Sequence, residues 1–165
     1  MKQLKPKPKA KRKPYGERDA LEKVTSQWHK LSGLHTREEW SAAVVRAVTA
    51  AELAASLVVR EEFAERSTFK ASVVDDFLVG ANGIDGKVSR LIAPLLAHRP
   101  DDLKLIRKLF GGMNEANKKR NMIVHGGHFC SKSEATKLIA ACKKFVEGVI
   151  GIYYDEFALV DRDAT

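Results

Sequence analysis

Apolar residues recur at helical intervals along this chain from Asp19 onward. The clearest stripe begins at Trp40 and alternates spacings of four and three residues, while Arg46 and Arg60 fall on the opposite face. The pattern predicts a long amphipathic helix that ends at about Arg66 and, at about 1.5 Å per residue, spans the whole domain. The stripe consists of Trp40, Val44, Ala47, Ala51, Ala54 and Val58.

Capping and helix-breaking residues delimit the other helices. Thr36 with Glu39, and Ser131 with Glu134, have the spacing of capping boxes. Pro94 lies inside the fourth segment, which should therefore kink or be short. Apart from the long helix, the predicted helices run from about Asp19 to Leu31, from Thr68 to Val79, from about Gly86 to His98, from Pro100 onward, and from Ser131 to about Phe157.

The segment that opens at Pro100 has a face that passes from apolar to polar residues. Gly111 and Gly112 lie within it, and each costs roughly 1 kcal/mol in a helix interior, so we expect a break or kink there. Gly126 and Gly127 should end the helix. The face consists of Leu103, Ile106, Phe110, Met113, Asn117 and Arg120.

Together these patterns predict an all-α protein, a compact bundle of five or six helices over residues 19–160. Nothing in this range has the alternation of a strand. Charges such as Arg46 and Glu52 interrupt the apolar runs, so we expect no membrane-spanning helix. The basic N-terminus has no apolar segment after it, which argues against a signal peptide and for a cytoplasmic or nuclear protein. Cys130 and Cys142 are expected to be reduced thiols, with Cys142 in the core.

The net charge of +8 is concentrated at the N-terminus. Residues 1–14 contain seven basic residues and no acid, so the rest of the chain carries only +1. Three prolines in the same stretch predict that residues 1–18 form an extended basic arm. Such an arm binds phosphates without reading sequence, and a solubility or localisation signal explains it equally well. The candidate nucleic-acid contacts in the arm are Lys7, Lys9, Lys11, Arg12 and Lys13.

The end of the fifth segment carries Arg120, then Asn121, then His125 followed by glycine. This arrangement, late in a helical bundle and before a final long helix, resembles the HEPN family (higher eukaryotes and prokaryotes nucleotide-binding domain), whose mark is Arg, four to six residues, then His. The resemblance implies a homodimer that shares a cleft between two such motifs. It also implies a metal-independent endoribonuclease without a cofactor, a role in toxin or defence systems, and an antitoxin or nucleotidyltransferase as a further partner.

These residue types suit RNA cleavage. Histidine as a residue type can serve as base or acid near neutral pH, which suits His125 to proton transfer, and the arginine guanidinium of Arg120 can stabilise a phosphorane. By the resemblance, Asn121 orients the substrate or the histidine. Lys118 and Lys119 are candidate RNA contacts beside the motif. On an ideal helix, however, Arg120 and His125 point about 140° apart, so they meet only if the turn around Val124 unwinds or a second copy supplies the partner.

Other interpretations of the same residues remain open. His125 and the basic residues before it could simply complement the negative end of a helix, as in an inert HEPN-like domain that binds RNA, nucleotides or proteins. His125, His128 and Cys130 lie close enough to bind a metal, but no fourth ligand has suitable spacing, and we expect no metal. Glu52 and the pair Asp75 and Asp76 could line a cleft or belong to solvated faces.

Overall fold

The computed structural model describes residues 13–161. A short 3-10 turn, Tyr15–Glu17, precedes six helices, and residues 13–161 contain no strand. The predicted all-α bundle of five or six helices is therefore confirmed. The helices are α1 (Ala20–Thr36), α2 (Trp40–Arg66), α3 (Ala71–Gly80), α4 (83–95, with the π-helical segment Lys87–Ile92 inside it), α5 (Pro100–Gly126) and α6 (Lys132–Ile150).

Helix α2 forms the centre of the bundle, as its apolar stripe predicts. It packs against α1 and α6 over much of its length and also contacts α3, α4 and α5. Half of its buried residues are alanine, which lets the neighbouring helices approach closely. The fully buried alanines are Ala43, Ala47, Ala50, Ala51, Ala54 and Ala55.

Arg46 and Glu52 lie within α2 as predicted, but they do not exclude the composition of a membrane-spanning helix. Within residues 13–161, α2 is long and apolar enough to cross a membrane, with a mean hydropathy of 1.8 over its best window. However, 61% of that window is buried inside the bundle. This burial is compatible with the central helix of a soluble protein.

The end of α1 and the start of α2 differ from the prediction. Helix α1 continues to Thr36, whose hydroxyl donates to the Ser32 carbonyl at 2.9 Å, so Thr36 cannot cap α2. The residue that precedes α2 is Glu39, and its side chain makes no cap hydrogen bond. A complete capping box stands instead at the start of α1, where Asp19 and Glu22 exchange side-chain and backbone hydrogen bonds of 2.8 and 3.0 Å.

Helix α5 passes through Gly111 and Gly112 without interruption, so the expected break is wrong. Packing on both sides of the glycines holds the helix together. Before them, the Phe110 ring lies edge-on to Phe145 of α6, and after them Met113 and Ala116 are fully buried. Tertiary contacts thus outweigh the poor helix propensity of glycine.

The ends of α5 and α6 are set by local backbone geometry. Gly127 ends α5 in the left-handed region (φ 64°), as predicted, and its N–H bonds to the Ile123 carbonyl at 3.2 Å. The Ser131 side chain accepts from the Glu134 N–H at 3.3 Å and caps α6, but the reciprocal bond of a capping box is missing. Helix α6 ends at Ile150, earlier than the predicted Phe157, and the chain continues in turns.

Candidate functional site

The C-terminal turns of α5 present the Arg/His motif at the edge of the bundle. Met113 and Ala116 on the core-facing side of the helix are fully buried. Farther along the same side, Arg120 keeps 30% of its side chain exposed and Val124 is 52% exposed. The side of α5 that faces the core therefore emerges from the bundle at the motif.

The Arg120 guanidinium contacts two neighbours. Its Nη1 donates to Asn121 Oδ1 at 2.9 Å, and its Nη2 lies 3.8 Å from Glu52 Oε2 on α2. The Nε atom is buried and has no hydrogen-bond partner within residues 13–161. Asn121 thus orients Arg120 in the single chain, and part of the hydrogen-bonding capacity of the guanidinium is unused.

Glu52 is shared between Arg120 and a second cation. Lys87 Nζ donates to Glu52 Oε1 at 2.7 Å, and the Lys87 side chain is only 9% exposed. Lys87 begins the π-helical segment directly after Gly86. A Cβ on Gly86 would lie 1.4 Å from the Ala81 carbonyl oxygen, so only glycine permits this close approach between the end of α3 and the start of α4.

Glu52 and Lys87 also line an open groove of about 690 Å³ between the start of α1 and helices α2, α3 and α4. The Arg60–Asp75 ion pair, with an Nη2 to Oδ1 distance of 2.5 Å, lies in the same groove. Glu52 and Asp75 therefore do line a cleft. The sequence pattern did not indicate Lys87, because only the approach of α4 to α2 brings it to Glu52.

His125 lies in the last turn of α5 and is exposed. It makes no hydrogen bond, ion pair or ring contact with any residue that the structure describes. The helix is regular through Gly126, so the turn around Val124 does not unwind and the two motif side chains point about 140° apart. One copy of the chain therefore does not bring Arg120 and His125 together.

The basic residues proposed to bind RNA differ in availability. Lys118 is exposed and has no ion pair within residues 13–161, whereas Lys119 binds Glu134 at 2.9 Å. The hydrogen bond from Lys119 lowers the pKa of Glu134. Lys13 pairs with Glu22 at 3.2 Å. The arm residues Lys7, Lys9, Lys11 and Arg12 lie outside the described part of the chain.

The alternative metal site has no supporting geometry. No group of three His, Cys, Asp or Glu side chains within residues 13–161 is arranged to hold a metal ion. Cys130 is buried, and burial together with a hydrogen bond to Glu134 raises the pKa of its thiol to about 11. The thiol is therefore protonated at neutral pH. Cys142 is fully buried, as predicted for a core residue.

Comparison with models of known protein families, with curated proteins and with solved structures found no match. The likeness to the HEPN family therefore rests on the residues from Arg120 to Gly126 and their place in a helical bundle. The functional argument below depends on the chemistry and geometry of those residues.

Proposed function

We propose that this protein is a metal-independent endoribonuclease of the HEPN type that acts as a homodimer in the cytoplasm. The observation that carries the proposal is the emergence of the core-facing side of α5 at Arg120 and Val124. A helix face that is buried along the bundle and then becomes exposed next to a charged motif favours coverage by a partner.

Two copies would complete a site that one copy leaves divided. Because Arg120 and His125 of one chain diverge, the phosphate must be held by the arginine of one copy and approached by the histidine of the other. Exposed apolar side chains surround the motif and supply the surface for such an interface. They are Met122 at 45%, Val124 at 52% and Phe129 at 87% exposure.

The residues then have distinct roles in the reaction. One His125 accepts the proton of the ribose 2′-OH, whose oxygen attacks the adjacent phosphorus. The bond from phosphorus to the 5′-oxygen breaks, and the same His125, now protonated, donates that proton to the leaving oxygen. Arg120 stabilises the charge that develops on the phosphorane oxygens. The products are a 2′,3′-cyclic phosphate and a 5′-hydroxyl.

Glu52 and Lys87 prepare Arg120 for this role. A lone carboxylate beside the guanidinium would cancel its charge and weaken phosphate binding. Lys87 shares the carboxylate at 2.7 Å, so the three side chains together keep one net positive charge. Since Arg120 Nε lacks a partner, a small reorientation of the guanidinium toward a phosphate would gain a hydrogen bond.

The test is cleavage of single-stranded or looped RNA by the purified protein in EDTA. We expect 2′,3′-cyclic phosphate ends and no cleavage of DNA, which lacks the 2′-OH. His125→Ala should abolish cleavage and leave RNA binding nearly unchanged, whereas Arg120→Ala should reduce both. His128→Ala is the matched control, because His128 is also exposed and stands three residues later.

An RNA-binding domain without cleavage is the second candidate. The contacts of Arg120 with Glu52 and Asn121 favour it, because they already engage the guanidinium in the single chain. In that case wild-type protein would bind RNA without cutting it, and His125→Ala would change neither property. A strictly monomeric protein at micromolar concentration would contradict the nuclease.

A further inference from the structure

The side of α5 opposite its buried face carries a second regular stripe, here called the outer stripe. Its positions alternate spacings of four and three residues along the whole helix. All seven residues are exposed. They are Lys104, Lys108, Gly111, Glu115, Lys118, Met122 and His125.

The cations on and beside this stripe have no counterions. Lys104, Lys108 and Lys118, with Arg107 next to Lys108, form no ion pair with any residue in the described range. The single acid of the stripe, Glu115, is paired with Lys137 of α6 at 3.4 Å. The outer stripe therefore carries unpaired positive charge over about 21 Å, from Lys104 to Lys118 at 1.5 Å per residue, and reaches His125 about two turns later.

Helix stability does not account for this charge. The negative end of a helix dipole attracts cations only within about the last turn. Lys104, Arg107 and Lys108 lie in the N-terminal half of α5, far from Gly126. They gain nothing from the helix end, and repulsion between Lys104 and Lys108, four residues apart, opposes the helix.

Gly111 in the stripe and Gly112 beside it have no packing reason among residues 13–161. A Cβ added to either glycine would meet no atom of these residues within 4 Å, so packing in the described part of the chain does not require glycine there. Glycine is also the least favourable residue after proline for a helix interior. What the pair does provide is bare backbone between Lys108 and Glu115, where a ligand can approach closely.

We propose that the outer stripe binds the phosphodiester backbone of RNA and leads it to His125; this inference rests on the proposed function for the identity of the ligand. Unpaired cations in a row fit a chain of phosphates, and the glycines let that chain lie close to the helix. A second copy of the protein does not fit the cationic part of the stripe, from Lys104 to Lys118, because two copies there would bring eight unpaired cations together.

The experiment measures binding of a labelled single-stranded oligouridylate of about 20 nucleotides to the full chain. All variants carry His125→Ala, so that cleavage plays no part. Arg107→Gln with Lys108→Gln should weaken binding about tenfold and make the dependence of log K on log salt shallower by about 1.4, since each single-strand phosphate contact contributes about 0.7. The matched control is Lys70→Gln with Arg90→Gln, two exposed cations elsewhere that also lack ion pairs, and it should change neither quantity.

Gly111→Gln tests the close approach separately from charge. It should weaken binding about threefold while the melting temperature stays equal or rises, because the new side chain points into open space and improves helix propensity. Gly80→Gln, at another glycine in open space, is its control.

The proposal is overturned if the Arg107 and Lys108 double variant binds like its control, if the parent protein does not bind the RNA, or if the double variant changes only the oligomeric state. The last result would assign the stripe to a protein interface. If the wild-type protein cleaves RNA but the stripe variants bind RNA normally, the proposed role of the stripe is wrong and the proposed nuclease stands. Loss of binding in these variants without any wild-type cleavage would uphold the stripe and reject the nuclease.

Discussion

Glu52 and Glu62 are two carboxylates on the same helix with opposite surroundings. Glu62 is fully buried, and its Oε1 accepts hydrogen bonds from the Tyr153 hydroxyl at 2.6 Å and from Arg99 at 3.2 Å. Glu52 is partly exposed in an open groove, where it binds Lys87 tightly and Arg120 loosely. Glu62 thus joins α2 to Arg99 and Tyr153 by hydrogen bonds, whereas Glu52 contacts the Arg120 guanidinium only at 3.8 Å.

The difference lies in what each carboxylate leaves unsatisfied. At Glu62 the unpaired atom is the carboxylate Oε2, which has Arg66 and His98 at 3.9 and 3.8 Å and is sealed from solvent. At Glu52 the unpaired atom belongs to the cation, Arg120 Nε. A network sealed from solvent stabilises a fold, whereas a partly exposed arginine whose buried Nε still lacks a partner can rearrange to bind a ligand.

The largest expected effect is that of Glu62→Ala. Removing the buried carboxylate leaves Arg99 and Tyr153 without their partner and should lower the free energy of unfolding by about 3 kcal/mol. Urea denaturation measures it. Glu65→Ala, an exposed glutamate on the same helix, should stay within about 0.5 kcal/mol. If the free energy of unfolding fell equally in the two variants, the buried contacts of Glu62 would not stabilise the fold.

A smaller effect is expected from Tyr153→Phe, with a pH dependence of known sign. Burial and the hydrogen bond to Glu62 raise the pKa of Tyr153, so its phenol stays neutral in the fold at a pH where an unfolded tyrosine ionises, about 10. This stabilisation is complete below that pH and is lost as the pH rises above it. Tyr153→Phe should therefore cost about 2 kcal/mol at neutral pH and progressively less above about pH 10. A pH-independent difference between the two proteins would contradict this assignment.

The smallest effect on stability is expected from Glu52→Gln, about 1 kcal/mol, because the amide oxygen can still accept from Lys87. RNA cleavage should nevertheless fall about tenfold, since Arg120 loses the carboxylate that positions it. Turnover and denaturation of the same preparation separate the two quantities. If Glu62→Gln reduced turnover more than Glu52→Gln at a temperature where both are folded, the distinction between the two carboxylates would fail.

The sequence predicts the fold correctly where the residues of a single helix determine its position and its end. The apolar stripe of α2 and the left-handed glycine after α5 are local signals, and both predictions are confirmed. The wrong predictions concern helix ends and breaks that depend on contacts with residues far away in the sequence. The break at Gly111 and Gly112 is prevented by packing of Phe110 and Met113, and Thr36 belongs to α1 although its spacing to Glu39 suggests a cap.

For the candidate site, the sequence proposes residues and the structure adds their arrangement. Arg120, Asn121 and His125 lie within six residues of one another, and the motif proposes them as a site. Their divergence on a regular helix follows only from the absence of unwinding at Val124. Lys87 carries no local signal, because its meeting with Glu52 depends on how α4 packs against α2.

The arrangement of Glu52, Lys87 and Arg120 also depends on Gly86, a residue without a reactive group. It has no side chain, yet the space it leaves lets the Ala81 carbonyl approach the first turn of α4, directly before Lys87 meets Glu52. A methyl group added at Gly86 would displace Lys87, and the displacement would reach the Arg120 guanidinium through Glu52. Gly86 therefore tolerates no larger residue, although it contributes no side chain that could bind a substrate.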